Sequence, residues 1–185
     1  IGEVGDDNSH GATWLSRRSL EIMAEAAGVR GVPKSGEELA DYLREIARLL
    51  RESQPTMSSL SNHLVRAMSR MPGFRSRKPG FGQLDRDAVE QAVKEELDSQ
   101  QKELDDLGLY GAELLAEKFP GKARLLTLSH SDAVLEIFKR LAGGDELQIT
   151  VAESRPVCEG VELARQLGKL GFNVRLVPDA MLGIE

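Results

Sequence analysis

A single cysteine, Cys158, leaves the 185-residue chain without an intrachain disulfide, which fits a reducing compartment and a cytoplasmic location. The three histidines, His10, His63 and His130, lie far apart without metal-ligand spacing, so no metal centre and no cofactor is expected. Aromatic residues make up only 4%, so the core must be built mainly from Leu, Val, Ile and Ala. No apolar run approaches the ~18–20 residues of a membrane helix, which argues against a membrane partner. The opening stretch, residues 1–10, is polar and acidic, which is not the pattern of a signal peptide. Positive charge is also short: 24 basic residues against 30 acidic give −6, which argues against direct binding of nucleic acid or anionic membrane.

What is present is ordinary for a globular chain, with 41% apolar and 29% charged residues and length for one good core or two small ones. The first part reads as helical. Leu15, Ile22, Met23 and Ala26 share one face of a helix over 13–27, stopped by Gly28. Ser35 and Glu38 form a capping box ahead of the stripe Leu39, Leu43, Ile46, Ala47 and Leu50, which Pro55 ends. A third helix is expected over 58–71. A loop over 72–82 follows, with two prolines and three glycines. A long acidic helix then starts near Asp85, with Val89, Val93, Leu97, Leu104 and Leu107 as its buried face. Gly108 and Gly111 predict a break before a helical segment over 112–119.

After Pro120 the period changes. Short apolar runs over 123–129, 147–153 and 173–178 alternate with helical patterns, the first of which Gly143-Gly144 closes and the second Gly171. Strands and helices alternating at this spacing argue for parallel βαβ units. The fold class is therefore α/β: a helical N-terminal domain, residues 1–119, then a Rossmann-like parallel sheet in 120–185. A three-stranded parallel sheet is thin and has exposed edges. It reads as truncated after its third strand, or as completed by a partner.

In open α/β sheets, ligands bind beyond the carboxyl ends of the strands, and three loops occupy that edge. In Ser129-His130-Ser131-Asp132, the entry to a helix, either the helix N-terminus attracts an anion such as phosphate or Ser131 or Asp132 is simply an N-cap. In Glu153-Ser154-Arg155-Pro156, the proline suits the first turn of a helix. Arg155 either holds a phosphate or carboxylate or pairs with Glu153 or Glu159. In Pro178-Asp179, the carboxylate either caps the next element or touches a ligand.

Consecutive residues cannot form a nucleophilic relay, so Ser129 to Asp132 are not a triad. Cys158, at a helix start, is open to a lowered pKa or to service as a small buried side chain. Arg66, Arg70, Arg75, Arg77 and Lys78 form an acid-free basic stretch. It faces either phosphate or RNA, or the acidic helix over 85–106.

The stretch Thr150-Val-Ala-Glu-Ser-Arg-Pro-Val-Cys-Glu-Gly160, followed by Leu163-Ala164 and by Gly171-Phe-Asn-Val-Arg-Leu-Val-Pro-Asp-Ala180, resembles the signature of the translation initiation factor 2B alpha/beta/delta family. Leu126-Thr-Leu-Ser-His-Ser131, Gly11-Ala12, and Ser53-Gln-Pro-Thr56 with Leu60 and Asn62 resemble further family segments in the same order. The resemblance implies a helical domain and a Rossmann-like domain with ligand held between them, and dimerisation or association with related subunits. It also implies a role either as a regulatory subunit or as an aldose–ketose isomerase of methylthioribose 1-phosphate or ribose 1,5-bisphosphate.

The implied ligand-binding residues are Gly11, Ala12, His130, Ser131, Glu153, Arg155 and Asp179, for a phosphorylated sugar or nucleotide. The isomerases carry Arg where this chain has His10 and Gln54, and their catalytic Cys aligns with Ser131. Their catalytic Asp is expected beyond residue 185. A serine hydroxyl is a far poorer acid or base than a tuned thiol near neutral pH, and two missing cations weaken a phosphate site. The expectation is therefore a non-catalytic, regulatory protein, with Ser131 as the catalytic residue of the alternative.

Overall fold

The computed structural model describes residues 1–7, 10–74, 83–141 and 147–183. These form two compact units, Ile1–Gln101 and Lys102–Glu185.

The first unit is helical. It contains α1 (Gly2–Gly5), α2 (Ala12–Ala27), α3 (Gly36–Ser53), α4 (Ser58–Arg70) and the first part of α5 (Arg86–Lys118). Leu15, Leu20 and Met23 of α2 pack with Leu39, Leu43 and Leu50 of α3, Leu60 and Leu64 of α4, and Val89 and Val93 of α5. These residues are the aliphatic core that the scarcity of aromatics demands. Side chains of this kind each gain about 1.5–3 kcal/mol on full burial. Serines also enter the interior: Ser16 Oγ donates to the Ala12 carbonyl at 2.7 Å and meets Ser59 Oγ at 3.1 Å. Small residues on α2 thus let α4 come close.

The capping box at Ser35 does not form, because Ser35 makes no side-chain cap bond. Its hydroxyl instead accepts from Gln83 Nε2 at 3.1 Å, and Gly36 N–H donates to the Leu84 carbonyl at 2.7 Å. A short antiparallel bridge, Ser35 to Asp85, completes this clasp. Gly36 sits at φ +74 there, a conformation that only glycine adopts without strain. Asp85, rather than a residue inside the helix, caps α5 by accepting from Ala88 N–H at 2.9 Å.

The buried face of α5 also departs from the expected one. It runs through Val89, Val93, Glu96, Gln100, Gly108 and Ala112, whereas Leu107 is exposed. Two polar residues and a glycine lie on the inner stripe, so apolar periodicity alone misplaces its C-terminal half. Glu96 is fully buried, with His63 Nδ1 at 2.8 Å, Arg66 Nε at 3.2 Å and Arg70 Nη2 at 2.9 Å. Of the basic stretch, Arg66 and Arg70 therefore face the acidic helix, while Arg75, Arg77 and Lys78 lie outside the described residues.

Gly108 and Gly111 do not break α5. A Cβ at Gly108 would lie 2.8 Å from Glu136 Cγ, and one at Gly111 would lie 2.6 Å from Ile137 Cδ1. Both glycines exist for the close approach of α6 (Asp132–Arg140), a packing need that a local reading takes for a helix stop. That packing explains why the compact units part inside α5, whereas Pro120 marks only the change from helix to strand.

In the second unit, β1 (Ala123–Leu128), β2 (Leu147–Ala152) and β3 (Asn173–Val177) pair in parallel in the order β1-β2-β3, as the period change predicts. Between them lie α6 and α7 (Glu159–Lys169). The register aligns Leu125, Ile149 and Val174 on one face. That face packs with Leu135 and Phe138 of α6 and Leu163 and Leu167 of α7. On the other face Leu126 and Leu128 are exposed. The Gly143-Gly144 stop lies outside the described residues.

Candidate functional site at the carboxyl edge of the sheet

The three strands end in loops that are tied to one another. After β1, Ser129 stands at φ 61 and its N–H donates to Ser154 Oγ at 2.6 Å. The Ser129 hydroxyl donates to the Glu159 carboxylate in the first turn of α7. After β2, Ser154 is also left-handed, at φ 61, as is Cys158 at φ 62. Non-glycine residues there cost about 1–3 kcal/mol each and persist only where surroundings hold them.

The hold is visible. Both Asp179 oxygens accept backbone N–H groups at 2.8 Å, Oδ1 from Ser154 and Oδ2 from Arg155. Glu153 N–H donates to the Val177 carbonyl at 2.9 Å, and Gly160 N–H to the Glu153 carbonyl at 3.2 Å. Gly160 itself admits no side chain, since a Cβ would lie 1.9 Å from the Ala152 carbonyl oxygen. The signature therefore builds a rigid bracket: a glycine lets α7 press on the end of β2, and a carboxylate from the next loop clamps the turn.

His130, Ser131, Glu153, Arg155 and Asp179 all lie along this edge of the sheet. Ser131 is the N-cap of α6, accepting from Val134 N–H at 3.4 Å. The Asp132 and Ala133 N–H groups at that helix end have no hydrogen-bond acceptor among the described residues, which leaves positive potential there. His130 Nε2 lies 3.2 Å from Gln166 Oε1, with Asp132 4.0 Å from its other ring nitrogen. Arg155 pairs with Glu153, yet its side chain is 73% exposed. That carboxylate raises the guanidinium pKa further above its already high range, so Arg155 is a permanent cation at the rim.

Some expectations change. Asp179 does not cap the following turn, because both its oxygens accept from the loop after β2. Pro156 lies in the turn before α7 rather than in its first turn, and the Arg155–Pro156 peptide is cis. Cys158 is the α7 N-cap residue and half-buried rather than a buried filler. Gln166 had no sequence signal as a partner of His130, because a glutamine on an amphipathic helix looks like any solvated residue.

Gly11 and Ala12 belong to the other unit, at the start of α2, where Gly11 is the N-cap residue. Beside them, the two positions that lack an arginine have structural partners. His10 Nδ1 lies 2.6 Å from Asp7 Oδ2, and the ring stacks on Trp14 at 4.0 Å. Gln54 Nε2 donates to the carbonyls of Val4, Gly5 and Asp7 at 2.9, 3.4 and 3.2 Å, so its amide fastens α1 to the end of α3.

Residues 8–185 match the family described as the Initiation factor 2 subunit family. The chain belongs to that family. Its relatives include an eIF-2B subunit 2-like protein of Pyrococcus abyssi, 29% identical over 190 residues, an alignment covering all of this chain and 59% of the relative. Another is the ribose 1,5-bisphosphate isomerase of Thermococcus kodakarensis, 28% identical over 163 residues, which covers 88% of this chain and 48% of that one. The chain thus spans about half to three-fifths of the length of the family members it matches. The crystal structure of Pyrococcus horikoshii translation initiation factor eIF-2B shares the fold with a TM-score of 0.76 at 24% identity, covering 98% of this chain and 59% of that chain.

Proposed function

We propose that this Initiation factor 2 subunit family member is a regulatory or binding protein, which holds the phosphate of a phosphorylated sugar or nucleotide at the carboxyl edge of its sheet. One observation carries the reading: Asp179, Glu159 and Ser131 are committed to the loops, while Arg155, though paired with Glu153, stays exposed along the same edge as the first N–H groups of α6. Asp179 and Glu159 accept from backbone and hydroxyl donors, and Ser131 caps α6. The α6 N-terminus and Arg155 supply attraction for an anion. His130 immediately precedes the α6 N-cap in the chain, with one ring nitrogen near Gln166. Gly11 and Ala12 are included in the ligand set on the family resemblance.

A second reading is aldose–ketose isomerisation, which the similarity to the Thermococcus enzyme favours. It needs a group that moves a proton between two adjacent sugar carbons, and Ser131 is the residue assigned to it.

Calorimetric titration with ribose 1,5-bisphosphate, methylthioribose 1-phosphate and nucleotides tests both readings, with isomerisation assayed in parallel. Arg155→Ala is expected to weaken phosphate-ligand binding about tenfold, the scale of one charge-assisted hydrogen bond. Ser131→Ala is expected to leave turnover at background. Isomerisation that Ser131→Ala abolishes would replace the regulatory reading with the enzymatic one. Equal binding by wild type and Arg155→Ala would return Arg155 to a surface ion pair with Glu153.

We also propose self-association or pairing with related subunits. Both edges of the three-stranded sheet are unpaired among the described residues. Sedimentation at micromolar concentration is expected to show a dimer or larger, and a well-folded monomer would refute this.

A further inference from the structure

The helical unit contains a concavity of about 420 Å³ that shares no residue with the sheet edge. Its lining includes Arg30, Lys34 and Arg86 together with Gly28, Val29 and Val32, and no acidic residue. In a chain of net charge −6, three cations around one hollow without a carboxylate in its wall set up a local field opposite to that of the whole molecule.

Two of the three cations are not bound up in surface pairs. Arg30 and Lys34 have no hydrogen-bond or ion-pair partner among the described residues. Arg86 uses its Nε to bond Glu90 at 2.6 Å, which fixes the plane of the guanidinium. That guanidinium lies directly over Gly28: a Cβ at residue 28 would be 3.2 Å from Arg86 Cζ and 3.3 Å from Nη2. Gly28 thus provides the room Arg86 needs to reach the hollow.

The wall is also pinned. Lys34 immediately precedes the clasp in which Gln83 bonds Ser35 and Gly36 bonds Leu84. That clasp ties the loop after α2 to the residues leading into α5, which carries Arg86. Arg86, held by Glu90, loses less entropy on binding than a floppy side chain.

We propose that this hollow is a second anion site, for a phosphate monoester with a compact apolar body. Three positive charges suit a dianionic phosphate better than a single carboxylate, and two of them are guanidinium forks shaped for phosphate oxygens. Ala27, Val29 and Val32 give the body of such a ligand an apolar wall, and the volume is that of a small-ligand pocket.

Phenyl phosphate is the probe, titrated at low ionic strength into the full chain while amide resonances are followed. Saturable shifts are expected at residues 28–34. Phenyl phosphate is expected to bind more tightly than inorganic phosphate, since only the ester has a body for the valines. Arg30→Gln with Lys34→Gln should weaken binding at least about tenfold, with the remaining amides unmoved as evidence of an intact fold. Gly28→Ala should weaken it as well, by displacing Arg86.

An unchanged affinity in the double variant would overturn the site. Equal affinity for phenyl and inorganic phosphate would overturn the monoester assignment. Shifts confined to residues 129–134 and 153–160 would overturn this site while supporting the one at the sheet edge, so the two proposals fail separately.

Discussion

Gly160→Ala is expected to unfold the sheet unit at a temperature roughly 10 °C or more below wild type, while leaving the helical unit intact. The cause is geometric. A Cβ at residue 160 would lie 1.9 Å from the Ala152 carbonyl oxygen, 2.9 Å from its carbonyl carbon and 3.1 Å from Glu153 Cα. All three are backbone atoms at the end of the central strand, so no rotamer change relieves the overlap. Either α7 lifts from β2 or the loop opens. Lifting α7 strips Leu163 and Leu167 from Ile149 and Val151, all of them fully buried.

Overpacking of this kind costs about 3 kcal/mol or more. In a domain of this size each kcal/mol moves the midpoint by about 4–8 °C. The readout is amide exchange in β2 and α7 beside exchange in α3. Protection in β2 equal to wild type would refute the close-approach account of Gly160.

Glu96→Ala is expected to destabilise the helical unit by about 2–4 kcal/mol. Glu96 has no solvent exposure and is shared by His63, Arg66 and Arg70. Removing one partner of a buried ion pair costs about 3–5 kcal/mol, because the charge left behind keeps its desolvation penalty. Here the loss is smaller, since Arg66 and Arg70 are 41% and 35% exposed and recover water. His63 is only 11% exposed and does not recover it as easily. Glu96→Gln keeps an oxygen for the histidine and should lose less than the alanine variant. Urea titration followed by circular dichroism measures both variants, and midpoints within error of wild type would show that the cluster contributes nothing net.

Much of this protein was legible in its residues, through patterns that are local. The stripe Leu39, Leu43 and Leu50 predicts α3 because a helix returns a side chain to the same face every three to four positions. The apolar runs after Pro120 predict parallel strands because two βαβ units leave few other arrangements. The family followed from Glu153 to Gly160 together with the segments in order around it. No described helix is long and apolar enough to cross a membrane.

Other features depend on residues that only the folded chain brings together. Glu96 is a buried anion because His63, Arg66 and Arg70 arrive from another helix. Gly108 and Gly111 are close-packing residues because α6 lies against them, although in sequence they look like breaks. Ser35 forgoes its capping role because its hydroxyl accepts from Gln83 while Gly36 N–H donates to Leu84. Asp179 is a clamp because parallel pairing sets the end of β3 beside the turn that follows β2. The sequence by itself determined the order of the main helices and strands and the family, since these follow from periodicity and from contiguous motifs. Only the tertiary structure decided which glycines are turn residues and which are contacts, and which carboxylates brace backbone and which neutralise cations. Those roles are set by distances between residues far apart in the chain.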